Sequence, residues 1–150
     1  MKTKIVITDL TRMYGRRVCI AGYTAGRECV RPVLPPPGIP ENSLFHTGDA
    51  IIYPFAVVEM GLMGHVGEPP HTEDQLYDFE SVRFIRRVQN RSQVLGWSIF
   101  DNVEAIFEQP IQDDLGFYVK SCQGPRSLGT IQPLKIFLKH IRDLFQLIGK

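Results

Sequence analysis

Tyr23, Arg27 and Arg31 form a short run whose side chains have the chemistry to hold a nucleic acid. A phenol ring stacks on a base. Guanidiniums grip phosphate oxygens or base edges through a planar fork of donors. Alternation along two paired strands puts the three on one face, above the small residues Cys19, Ala21 and Cys29, with Val18, Ile20 and Val30 on the other. The competing reading is an ordinary hairpin with a solvated polar face. Arg12, Arg16, Arg83 and Arg87 are the remaining candidates for phosphate contact, and Arg126 joins them only through the resemblance given below.

The elements that must position these residues follow from apolar spacing and turn chemistry. Residues 17–23 and 27–33 read as a hairpin around Thr24-Ala25-Gly26, with Gly26 supplying the positive φ that a three-residue loop wants. That register sets Val18 opposite Pro32, Cys19 opposite Arg31, Ile20 opposite Val30 and Tyr23 opposite Arg27. Residues 2–10 form a strand with Ile5 and Ile7 on one side, pairing with residues 17–23 across Tyr14-Gly15-Arg16. The proline-rich LPPPGIPE makes a rigid corner, and residues 42–45 a single turn. Residues 50–66 read as one long strand, with Pro54 at an edge or bend and Gly61 and Gly64 at bulges or barrel corners.

Thr72 followed by Gln75 matches a capping box and predicts a short helix, with Glu73 and Asp74 at its positive end. His71, Glu73 and Asp74 are alternatively a metal cluster, but adjacent acids on a helix diverge and no second ligand group is evident. Residues 80–88 alternate as a strand, Val82, Phe84 and Arg86 on one side and Arg83, Ile85 and Arg87 on the other. With Arg91 this is the densest basic segment. Helices follow near 92–99 and 102–107, with Trp97, Phe100, Ile106 and Phe107 expected in the core, then a strand over 116–122. Leu134, Phe137, Leu138, Ile141, Leu144, Phe145 and Ile148 recur at helical spacing, which predicts an amphipathic helix over 134–148.

Length and composition bound the rest. At 150 residues and 43% hydrophobic, the chain is one domain, or two very small ones sharing a core, with enough apolar residues for a real core. A net charge of +1 leaves any electrostatic work to local patches. The three cysteines form no CxxC pair, which favours buried thiols in a reducing compartment. The N-terminus lacks an apolar signal core and no run approaches a membrane span, so the expected location is cytoplasmic. There is no P-loop, no GxGxxG after a strand, no GxSxG and no HxxxH, and no histidine has an obvious acid–base partner. No catalytic residue, cofactor or metal ligand is therefore named, although catalytic groups need only meet in space.

The segments ITDLTRMYGRRVCIAGY, CVRPV with its PPPGIP corner, PFAVVEM, PPHTED and RSLGTI, in that order, resemble the dual OB-containing domain, a prokaryotic family. The resemblance covers roughly residues 5–133. It implies OB-fold barrels and binding of nucleic acid or nucleotides, and it points to Arg31, to His71 through Asp74, and to Arg126 without assigning roles. The family continues as strands where this chain turns to an amphipathic helix, which leaves a second barrel incomplete.

Together these readings predict a mainly β protein with short helices. A curved OB-like barrel is built around an N-terminal β-meander and followed by a C-terminal amphipathic helix, in one compact domain over 1–150. The expected function is non-catalytic binding of single-stranded DNA, RNA or a nucleotide. The alternatives are a scaffold subunit that forms a homodimer through its last helix, and a small enzyme acting on nucleotides.

Overall fold

Alternating apolar residues build the first strands. In the computed structural model, which describes residues 2–114, 116–120 and 122–132, β1 spans Lys2–Met13, β2 Arg17–Thr24 and β3 Cys29–Val33. Ile5, Ile7, Val18, Ile20 and Val30 are all buried in one cluster. Each such side chain is worth about 1.5–3 kcal/mol of transfer free energy. The β1–β2 turn is Tyr14-Gly15-Arg16, with Gly15 at φ 72° and Arg16 at φ 55°. A register shift between Ile7 and Asp9 bends β1, so that it pairs with two different neighbours along its length.

After β3 the chain turns through the proline corner into β4 (Ile39–Pro40), which adds to the start of β2. A 3-10 turn over Glu41–Leu44 and a small hairpin of β5 (Phe45–His46) and β6 (Asp49–Ala50) follow. Two long strands then complete the sheet, β7 (Ala56–His65) and β8 (Asp74–Arg87). The order is β1-β7-β8-β3-β2, and β1 also pairs with β2, so the sheet closes into a five-stranded barrel. Every barrel pairing is antiparallel except β3 with β8, which run parallel from Arg31↔Asp74.

A second layer follows: α1 (Arg91–Leu95), β9 (Ile99–Phe100), α2 (Val103–Phe107), β10 (Gln112–Asp113), β11 (Phe117–Tyr118) and β12 (Thr130–Ile131). Both helices start on an asparagine cap. The Asn90 side-chain oxygen accepts from Gln93 N at 3.1 Å, and that of Asn102 from Ala105 N at 2.8 Å. Among the described residues no helix is long and apolar enough to cross a membrane.

The mainly β barrel agrees with the sequence reading, and several local expectations are corrected. The β2–β3 loop is longer than expected, and its left-handed residue is Arg27 at φ 65°, not Gly26. Gly22 pairs with Val30 and Tyr23 with Cys29, a slip of two residues. An even slip keeps each side chain on its own face, so the division into apolar and polar faces survives. No helix forms at Thr72: β8 begins at Asp74, because Arg31 and its neighbours offer that segment a parallel ladder and an ion pair. The long strand after Ala50 starts only at Ala56, since Phe55 sits at φ 70° and residues 54–55 form a turn. Register shifts do occur beside Gly61 and Gly64. On β8, Phe84 faces Val58 and Arg86 faces Val57, which makes Ile85 the extra residue of a bulge. Arg86 therefore leaves the side of Phe84, and Arg83 and Arg87 part company. The first helix is shorter than 92–99, and among the described residues of 116–122 the strand is β11 alone. The amphipathic helix over 134–148, and with it the dimer it was expected to form, lies outside the described residues.

Candidate nucleic-acid interface

The outer face of β2 and β3 carries Tyr23 opposite Cys29, with Arg31 further along β3. Tyr23 is only 7% exposed. Burial holds its phenol protonated well above the usual range, and the Cys29 thiol beside it acts in the same direction. Burial, then the charge of Glu73, pushes the Cys29 thiol up to about 11. Tyr23 is thus a wall of the structure and not an open platform.

Arg31 is engaged as well. Its Nε and Nη2 donate to the two carboxylate oxygens of Asp74, the second at 2.9 Å, and Nη1 donates to Ser127 Oγ at 3.3 Å. The bidentate bond to Asp74 is the main reason its guanidinium is held charged more firmly than usual. Glu73, 5% exposed, accepts from the backbone N–H of Ser127 at 3.3 Å and from its hydroxyl. Thr72 donates its hydroxyl to the carbonyl of Pro125. The acids that resembled a helix cap instead fasten residues 125–127 onto the barrel.

That clamp encloses a cavity of about 270 Å3 in which Tyr23, Arg27, Trp97, Phe100 and Arg126 meet. Arg27 stands exposed on its loop, its N–H donating to the Thr24 carbonyl at 3.0 Å. Arg126 lies over the Phe100 ring at 4.8 Å, and its Nη2 donates to Glu108 Oε1 at 3.0 Å. Between Trp97 and Phe100 in the chain, Ser98, 3% exposed, donates its hydroxyl to Thr130 Oγ1 at 3.1 Å where β9 and β12 pair. Trp97 and Phe100, backed by the buried Tyr23, and two guanidiniums in one recess can hold a planar ring and its anionic substituent.

Of the candidates named from the sequence, Tyr23, Arg27 and Arg126 come together, and Arg31 adjoins them as a structural anchor. Arg12 pairs with Glu41 at 2.7 Å, Arg16 sits at the β1–β2 turn, and Arg83 and Arg87 are exposed on β8; none lines this cavity. Trp97 and Phe100 were expected in the core and are half-buried cavity walls. Their adjacency to a capped helix gave no hint of this, because it arises only when the second layer folds back. Among the described residues no group of three or more His, Cys, Asp or Glu could hold a metal ion. A larger cavity of about 660 Å3 lies by α2 and β11, lined chiefly by apolar residues such as Phe107 and Tyr118, together with His71 and Lys120. It gathers fewer convergent polar groups than the Tyr23 recess. No family model, curated protein or solved structure matches this chain.

Proposed function

We propose that the domain binds single-stranded nucleic acid or a nucleotide, with one base in the Tyr23 cavity. The observation that carries this reading is the meeting of Tyr23, Trp97 and Phe100 with Arg27 and Arg126 around a recess of about 270 Å3. A base held against such rings gains about 1–3 kcal/mol. Arg27, exposed at the mouth, is placed to meet a phosphate. The barrel supports the same reading. A closed five-stranded sheet, with its third and fifth strands parallel, suits an OB-type barrel, whose second and third strands present ligands. The resemblance to the dual OB-containing domain belongs to this proposal.

Trp97 is the only tryptophan, so its fluorescence reports directly on the cavity. Titration with an oligothymidylate and with AMP should quench it, more weakly as salt rises from about 50 to about 200 mM. Arg27→Ala combined with Arg126→Ala should weaken binding about tenfold or more while the protein stays folded. A parent protein that shows no quenching at low salt would end this reading.

A further inference from the structure

We infer that the ligand is a polymer, a single strand of several nucleotides, whose backbone runs against Arg83, Arg86, Arg87 and Arg91 where β8 ends and α1 begins. This rests on the reading that the domain binds nucleic acid, and it adds a surface that shares no residue with the Tyr23 recess.

Residues 83–91 hold four arginines and no acid, in a chain whose net charge is only +1. All four are exposed, and none makes an ion pair among the described residues. Other guanidiniums of this chain are matched to acids: Arg12 to Glu41, Arg31 to Asp74 and Arg126 to Glu108. Glu59 stands opposite Arg83 in the β7–β8 ladder and still makes no ion pair with it. Four unneutralised cations this close repel one another, and a polyanion relieves that repulsion.

The backbone sets out these side chains. The bulge at Ile85 puts Arg83 and Arg86 on one face of β8, opposite Glu59 and Val57. It turns Phe84 and Arg87 to the other face, opposite Val58 and Ala56. Phe84 is 40% exposed and stacks on Tyr53 with 5.9 Å between ring centroids, so its ring is held in place yet open to solvent. Arg91 lies over the Phe55 ring at 5.2 Å. Fixed rings beside guanidiniums suit bases beside phosphates.

The other partner to weigh is an acidic protein strand. β8 pairs with β3 only as far as Leu76, so beyond it one edge carries no strand among the described residues. That edge is irregular. Between Gly61↔Asp78 and Glu59↔Arg83, β8 advances five residues while β7 advances two, and Ile85 bulges again. An added strand finds no regular ladder there, whereas a flexible polyanion needs none. Glu73 lines the recess just before β8 begins, and from His65 to Glu59 the partner strand β7 runs six residues, roughly 20 Å. A mononucleotide in the recess cannot reach the arginines. A strand within the range of about 4–16 nucleotides that one OB-type fold covers is long enough.

The test is fluorescence anisotropy of the full chain with a labelled oligothymidylate of about 12 nucleotides. Quenching of Trp97 by thymidine monophosphate reports separately on the recess. The oligonucleotide should bind about a hundredfold or more tighter than the mononucleotide. Arg83→Ala, Arg86→Ala and Arg87→Ala together should weaken the oligonucleotide about tenfold or more. They should also lower the salt slope of log K by about 2, at about 0.7 per lost phosphate contact. Arg91 is left in place because it packs on Phe55. The triple variant should melt as the parent does and keep the mononucleotide quenching, since the replaced side chains are exposed. An oligonucleotide that binds no tighter than the mononucleotide overturns the polymer and leaves the recess standing. Unchanged affinity and salt slope in the triple variant overturn the surface, whose arginines then only guard an open strand edge. Polyglutamate that binds the parent as tightly as the oligonucleotide overturns it in favour of an acidic protein partner. Arginine-dependent binding of the oligonucleotide without any mononucleotide quenching would uphold this surface and end the recess alone.

Discussion

Replacing Arg31 by alanine tests whether this residue holds the fold together or awaits a ligand. Its side chain is 14% exposed and that of Asp74 19%, so water screens the pair only in part. Removing one partner of a fully buried pair costs about 3–5 kcal/mol, whereas an exposed pair is worth about 0.2–1 kcal/mol. The bidentate contact and the further bond to Ser127 place this case towards the buried end. Arg31→Ala and Asp74→Ala should therefore each cost about 2–4 kcal/mol. At about 2–4 °C per kcal/mol for a chain of this size, the midpoint should fall by about 4–16 °C. Urea unfolding followed by Trp97 fluorescence measures this, and the double variant should show a coupling of about 1–3 kcal/mol. Arg16→Ala, exposed and outside any ion pair found among the described residues, should stay within about 0.5 kcal/mol of the parent. If Arg31→Ala costs less than about 1 kcal/mol and shows no coupling to Asp74, the anchor argument is wrong and Arg31 returns to the ligand candidates.

Gly22→Ala should prevent folding or cost well over 3 kcal/mol, because a Cβ there would lie 2.1 Å from the Val6 carbonyl oxygen in the neighbouring strand; soluble expression and a melting curve check it. Stability should decline at alkaline pH. Cys29 is raised to about 11 and Tyr77 to about 12, so the unfolded chain loses their protons first, from the ordinary values of 9.0 and 10.0. Their contribution is complete below pH 9.0 and falls as pH rises towards 12, and urea midpoints at pH 8, 10 and 11 should decrease in that order. A limiting thiol reagent should label exposed Cys122 before Cys19 and Cys29, whose thiols burial holds protonated; peptide mapping that finds Cys29 first would contradict the buried interface.

What was legible in the sequence was what depends on neighbours along the chain. The period-two pattern of Ile5, Ile7, Val18, Ile20 and Val30 determined which faces are buried, and Gly15 determined the first turn. Even the wrong hairpin register kept its faces, because a slip of two residues is invisible to alternation. Tyr23 and Arg27 could be named because aromatic and guanidinium groups declare their chemistry without a fold, and Arg126 was named only through the resemblance. Tertiary structure alone decided how they are used. Glu73 and Asp74 follow Thr72 in a helix-capping pattern, yet the parallel pairing of β3 with β8 turns one acid to Arg31 and the other to Ser127. Local propensity is worth a few tenths of a kcal/mol per residue, and a ladder with a half-buried ion pair outweighs it. Trp97 and Phe100 became walls beside Tyr23, and Asn42 became a neighbour of Tyr77, only when segments distant in sequence met. Such meetings are set by the closure of the barrel and the clamp at residues 125–127, and no spacing within any one segment encodes them.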